Sequence, residues 1–208
     1  MFVKRWRGLV LVFLVACVAP PDEAIASADL FKPYPTAQQA IAAQAGSRVG
    51  QRFPDLAFKR PDGMASKLSD YRGKIVFLHF WGAWCPPCVK ELPELVAMHG
   101  RIGKDDRIQF IFLQFSESYD TSINFLKRRK WDSIPVFDSL NPGRGVREFP
   151  LASGEKMFAR NYDVNLYPAS FILDRHGIVI GGYQGPNWRW EKWEVAIRDA
   201  MDNAPRID

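Results

Sequence analysis

Hydrophobic and polar positions along this 208-residue chain change their pattern several times, and each pattern predicts an element. Leu9 to Ala19 is an unbroken apolar run, preceded by Lys4, Arg5 and Arg7 and stopped by Pro20-Pro21. Phe53 to Phe58 alternates apolar and polar residues and leads to the turn signal Pro61-Asp62-Gly63, so an opening hairpin is expected. Ile75 to Trp81 and Ile108 to Phe115 are nearly continuous apolar runs, as in strands buried on both faces. A helix is expected between them, from Cys85 to about His99, with Pro93 as a kink. Ser122 to Lys130 reads as a further helix and Ile134 to Phe137 as a short strand. Phe171 to Leu173 and Ile178 to Gly182 flank the turn Asp174-Arg175-His176-Gly177. The last helix is expected from Arg189 to Met201, with Asn187 as its cap. Strand, helix, strand, then hairpin and helix imply an α/β domain with a central mixed β-sheet flanked by helices.

The opening apolar run is an address rather than a structural element. Its eleven residues rise about 16 Å as a helix, roughly half the hydrocarbon core of a bilayer. A secretory signal over residues 1–28 fits better than a spanning anchor. Two processing routes are open. Ala24-Ile25-Ala26 is an A-x-A cleavage site, whereas Leu14-Val15-Ala16-Cys17 is similar to a bacterial lipobox, which would lipidate Cys17 and anchor the chain to a membrane. Both place the body of the protein outside the cytoplasm, in the periplasm or at the outer side of a membrane. Residues 29–46 read as a tether: Pro-punctuated at first, then Ala/Gln-rich, with two helical turns expected after a Thr36 cap. The domain proper is expected over 47–208.

Composition narrows the function classes without choosing one. The chain is 47% hydrophobic and 25% charged, which excludes a wholly disordered, collagen-like or coiled-coil protein. Net charge is +5, and the longest basic run, Lys127-Arg128-Arg129-Lys130, sits where a helix should end. No nucleic-acid partner is expected from it. Three cysteines, Cys17, Cys85 and Cys88, are too few for a disulfide-stapled scaffold.

The chemistry lies in Trp81-Gly82-Ala83-Trp84-Cys85-Pro86-Pro87-Cys88. A C-x-x-C that ends a buried strand and opens a helix places its first sulfur at free N–H groups and partial positive charge. A Cys85 thiolate is stabilised there, whereas Cys88, one turn in, is expected to be less exposed and to keep its proton longer. Cys85 is therefore the attacking sulfur and Cys88 the resolving one. Pro86 and Pro87 fall in the first turn, where a missing N–H costs little. Half of a zinc site would need a second Cys/His pair, which His79, His99 and His176 do not supply. A structural disulfide closing so short a loop would constrain little. The redox-active Cys85–Cys88 pair is thus expected to serve without a cofactor or metal.

These residues resemble the TlpA/ResA/DsbE-like family of extracytoplasmic thioredoxin-fold thiol–disulfide oxidoreductases. The resemblance covers Val49-Gly50-Gln51-Arg52-Phe53-Pro54-Asp55, the lead-in Leu68 to Lys74, W-x-x-W-C-P-P-C with the following Glu-Leu-Pro, and Tyr167-Pro168-Ala169-Ser170-Phe171-Ile172-Leu173-Asp174. It implies a thioredoxin fold with an N-terminal β-hairpin extension. It also implies a cis Pro168 beside the cysteines, with Tyr167 and Pro168 forming a substrate-docking edge. The alternative is a trans proline that merely starts a strand. Glu91, three after Cys88, matches an acidic residue that the family keeps near its cysteines. Partly buried, it would hold its proton more tightly and could relay one to or from Cys88. The alternative is a solvated helix carboxylate. His79, six before Cys85, departs from the Asp of thioredoxins and the Asn of this family. It is either a proton acceptor for Cys88 or a satisfied core histidine.

Trp84 is expected to form apolar surface around Cys85, and Trp81, Trp188, Trp190 and Trp193 to be packing residues. The stretch from Asp138 to Arg160 exceeds the family's usual crossing to the cis-proline segment. With Arg144, Arg147, Lys156 and Arg160 it is either a surface excursion or a loop that shapes substrate choice. The resemblance implies an exported reductant of specific cysteine-containing clients, such as apocytochrome c or copper-site proteins, recharged by a DsbD/CcdA-type membrane electron donor. A disulfide-forming oxidant or isomerase, a metal or haem chaperone using the same thiols, and a thiol peroxidase are the competing readings.

Overall fold

The computed structural model describes residues 34–141, 148–158, 164, 166–186 and 189–207. The signal segment with Cys17 and the A-x-A site lies outside them, as do Arg144, Arg147, Arg160, Asn187 and Trp188.

The continuous apolar run Ile75–Trp81 forms strand β3, and all seven of its residues are buried because both faces and both edges are covered. It follows a hairpin of β1 (Ala57–Lys59) and β2 (Ala65–Lys67), the expected N-terminal extension. On one side β3 pairs in parallel with β4 (Ile108–Gln114), and on the other antiparallel with β8 (Ala169–Leu173). With β5 (Val136–Asp138) and β9 (Val179–Gln184) the sheet has the order β2-β1-β5-β4-β3-β8-β9. The mixed sheet is of the thioredoxin type that the sequence implies.

Alternation along β3 divides the core into two. Ile75, Phe77 and Trp81 point toward helices α2 (Pro86–Ile102), α3 (Tyr119–Arg129) and α4 (Trp190–Asn203). Trp190 and Trp193 pack there, and Trp81 is fully buried. Val76, Leu78 and Phe80 point to the opposite face, which carries Phe53 and Leu56. That face is completed by the segment between β5 and β8. There β6 (Glu148–Pro150) and β7 (Lys156–Phe158) form a two-stranded sheet that buries Phe149 and Met157. The Phe149 ring stands 5.2 Å from Phe80 and 5.9 Å from Phe115. The described part of the long crossing is therefore core-forming, not a surface excursion. A buried phenylalanine there is worth about 2–3 kcal/mol.

Several boundaries differ from the sequence reading for local reasons. Helix α2 passes through Pro93 and runs a turn beyond His99. Helix α3 starts earlier than expected because Ser118 caps it, its side chain accepting from the Thr121 amide. It ends at Lys130 in the left-handed conformation, so Lys127–Lys130 is a helix terminus. The N-cap of α4 is Arg189, without a side-chain cap. Thr36 caps α1 (Ala37–Ala42) as expected. Residues 34–46 pack on the domain: the Tyr34 hydroxyl donates to the Asp199 carboxylate, Ala40 is buried, and the Arg52 guanidinium donates to the carbonyls of Ala40 and His176.

Candidate active site

Helix α2 begins where β3 ends, so its N-terminus lies at the carboxyl ends of the parallel pair β3 and β4. Cys85 is the N-cap residue of α2, and its sulfur is bonded to that of Cys88. The Cys85 sulfur also accepts from the Cys88 backbone N–H at 3.3 Å. Pro86 and Pro87 occupy the first two helical positions and offer no N–H, so Cys88 is the first helix residue with an amide to give. Cys85 is 3% exposed and Cys88 0%, the expected order, although both sulfurs belong to the core cluster. Pro86 is exposed and Pro87 half-buried beside them.

The rim of the site comes from loops. The Trp84 indole N–H donates to the Phe115 carbonyl at 3.1 Å, and the two rings meet edge-on at 5.6 Å. Gly82 lies against that indole: a Cβ at position 82 would stand 2.3 Å from Trp84 Nε1, so a side chain there would displace the ring. Trp84 remains 41% exposed. The Tyr167–Pro168 peptide is cis, as the family resemblance implies, and the half-buried Tyr167 ring packs 4.1 Å from Phe115. Leu166, one residue earlier, is exposed, and its amide donates to the Gln184 side chain.

The floor comes from regular elements. His79 on β3 faces Ser170 on β8 in the strand register, and His79 Nδ1 lies 2.9 Å from Ser170 Oγ. Its Nε2 lies 3.7 Å from Glu91 Oε1, beyond hydrogen-bond length. Phe77, Phe112 and Trp190 surround the imidazole. Complete burial pushes His79 down from 6.5 to about 3, so the ring is neutral and its approach to Glu91 is not an ion pair. Glu91 is itself buried, at 6% exposure, one turn after Cys88 on α2. It is not the solvated carboxylate of the alternative reading.

The fold thus gathers Cys85, Cys88, Glu91, His79, Trp84, Pro86, Pro87, Tyr167 and Pro168 around one end of α2. Among the described residues no group of three or more His, Cys, Asp and Glu could hold a metal ion. The arrangement offers a sulfur at a helix N-terminus, a second sulfur behind it, and buried groups able to hold a proton.

Sequence reasoning missed Ser170, Phe115 and Glu117. Glu117 Oε1 accepts from the Ala83 amide at 2.8 Å and from the Ser122 hydroxyl. Its place just past the carboxyl end of β4, beside the C-x-x-C strand, was the available signal, because α/β sites collect at such ends.

Comparison with known proteins agrees with this geometry. Residues 49–181 match the AhpC/TSA family. The chain is 26% identical over 178 residues to the thioredoxin-like protein YneN of Bacillus subtilis, covering 85% of this chain and 88% of that one. It is 31% identical over 140 residues to the thiol-disulfide oxidoreductase ResA of Bacillus thuringiensis subspecies konkukian, covering 66% and 70%. A solved structure assigned as thiol:disulfide interchange protein DsbE, from Chlorobium tepidum, superposes with TM-score 0.56 at 26% identity, over 76% of this chain and 99% of that one. StoA of Bacillus subtilis shares the fold at 22% identity and TM-score 0.51, over 70% and 98%.

Proposed function

The chain belongs to the AhpC/TSA family and, within it, to the TlpA/ResA/DsbE-like thiol–disulfide oxidoreductases, and from that premise we propose an exported reductant of protein disulfides working through Cys85 and Cys88. The observation that carries the reading is the Cys85–Cys88 disulfide at the N-terminus of α2, with the buried Glu91 one turn further along the helix.

In the reduced protein the Cys85 thiolate attacks one sulfur of a client disulfide. That bond breaks, the other client sulfur leaves as a thiolate, and a mixed disulfide forms on Cys85. Cys88 then gives up its proton, with the buried Glu91 as acceptor and His79 beside it, and attacks the Cys85 sulfur. The client leaves with two more electrons than it brought, and the protein is left as the disulfide. Two electrons from a DsbD/CcdA-type membrane donor restore the dithiol. Trp84, Pro86, Pro87 and Tyr167 line the surface that receives the client, and Pro168, itself buried, follows Tyr167 at its edge.

The helix start supports the reducing direction of electron flow. A stabilised thiolate favours the reduced form and makes a strong oxidant. Pro86 and Pro87 remove two of the amides that would stabilise Cys85, which favours a reductant. The names of the relatives support disulfide exchange over a peroxidase. The charged start and apolar run of residues 1–28 support export, by cleavage after Ala26 or by lipidation of Cys17. Among the described residues no helix is long and apolar enough to cross a membrane. Apocytochrome c or a copper-site protein is the client class.

Cys88→Ser is the test. It should accumulate covalent adducts on Cys85 that dithiothreitol releases, and their absence in cells overturns the attack-and-resolve assignment. A reduction potential near about −270 mV supports a reductant, whereas one near about −120 mV reverses the direction.

A further inference from the structure

Glu117 takes no part in the exchange just described, yet it reaches into the turn that presents Cys85. Ser116, before it, is buried and has φ 59°, a left-handed conformation that costs a serine about 1 kcal/mol or more. Its amide donates to the Asn141 carbonyl at 3.1 Å. With the backbone so bent, the Glu117 carboxylate accepts from the Ala83 amide at 2.8 Å and from the buried Ser122 hydroxyl on α3. The same stretch is tied on by the Phe115 amide, which donates to the Trp81 carbonyl, and by the Trp84 indole, which donates to the Phe115 carbonyl. The Cys85 amide in turn donates to the Gly82 carbonyl at 3.1 Å. Through that turn the carboxylate stands within about 10 Å of the Cys85 backbone.

We propose that Glu117 is a positioning residue that clamps the Gly82–Cys85 turn and, by its charge, holds the Cys85–Cys88 pair on the reducing side. Only the reduced protein carries a Cys85 thiolate. A fixed negative charge nearby disfavours that thiolate and so disfavours the reduced form, which makes the pair a better electron donor. Glu117 then acts in the same sense as Pro86 and Pro87: they withhold amides from the sulfur, and it opposes the positive helix N-terminus. The inference rests on Cys85 being the attacking sulfur.

Glu117→Gln separates charge from geometry, because the amide oxygen can still accept from Ala83 and Ser122. The exported protein is equilibrated with reduced and oxidised glutathione from pH 6 to pH 9, and Cys85 alkylation by iodoacetamide is followed over the same range. Among the described residues, the titratable groups of the cluster that holds Cys85 include Cys88 and Glu91 on α2, His79 on β3, Tyr119 on α3 and Tyr167 before the cis proline. They are common to both proteins, so the difference between the two profiles reports Glu117. At pH 9 the variant should be about three- to tenfold more reduced than the wild type. Its alkylation midpoint should lie lower, and at pH values below both midpoints the two should agree within twofold. Glu117→Ala should show the same high-pH shift and also exchange more slowly with a protein disulfide, a loss that Glu117→Gln does not share. A shift of equal size at every pH overturns the charge role, and no shift in either variant overturns the proposal. None of these readings uses a cellular client. A shift without client trapping by Cys88→Ser would therefore remove the client reading and leave this one standing.

Discussion

The floor of the disulfide site is built from β3, β8 and α2 and is buried, whereas its rim is built from loops and stays half open. His79, Ser170 and Glu91 are each less than a tenth exposed, and aromatic rings fill the space around the imidazole. Trp84, Glu117 and Tyr167 are held by hydrogen bonds or ring contacts between loops and keep contact with water. The difference matters because the two flanks meet different demands. A proton can be held or refused sharply only where water does not screen it. A client can be received only where surface remains. The disulfide lies on the boundary, with Cys88 toward the floor and Cys85 at the mouth of α2.

The comparison breaks first if the floor does not handle protons. Glu91→Gln keeps the shape of the side chain and removes its titration. The step in which Cys88 resolves the mixed disulfide should slow about tenfold or more at neutral pH, the low end for a lost general acid or base. Its pH profile should flatten as well. A stopped-flow trace with an unchanged rate and profile would take Glu91 out of the mechanism.

A smaller effect sharpens the role of His79. The unfolded chain takes up a proton on this residue near 6.5, but the folded chain refuses it until about 3. Stability is therefore lost as the pH falls through that window, and nothing is lost above it. The contribution to the slope is at most about 1.4 kcal/mol per pH unit. Urea unfolding at pH 7, 6, 5 and 4 should show wild-type stability falling more steeply than that of His79→Asn, whatever the variant's stability at pH 7. Parallel curves would mean that the folded protein already carries the proton, and the floor would then hold a charged pair.

The contrast between floor and rim also explains what could be read from the sequence. Cys85, Cys88, Glu91 and His79 sit in regular elements, where spacing alone places them: one turn of α2 separates Cys88 from Glu91, and the apolar run of β3 buries His79. Ser170 needed the β3–β8 register, which pairs it with His79 across the sheet. Glu117 needed the β3–β4 register, which sets Trp81 opposite Gln114, and then a left-handed serine that no propensity announces. The crossing between β5 and β8 hid for a similar reason. Phe149 and Met157 lie in two short apolar stretches on either side of the turn signal Ser153-Gly154, each too brief to announce a strand, and only a second, short sheet turns both of them into the core.

Trp84→Ala is the mildest test and the one directed at the rim alone. The side chain is 41% exposed, so its loss removes one hydrogen bond to Phe115 and an edge-on ring contact, without opening a cavity in the core. Stability should drop by about 1 kcal/mol. If the rim receives the client, KM for a protein disulfide should rise about three- to tenfold, as expected for losing part of an apolar contact. The glutathione equilibrium and the maximal rate should change less than twofold, because nothing beneath the sulfurs has moved. Trp84→Phe keeps the apolar surface and loses the indole N–H, and should keep most of the affinity. A change in the glutathione equilibrium without a change in KM would mean that Trp84 acts on the sulfur and not on the client. The rim would then belong, with the floor, to the machinery that tunes the cysteines.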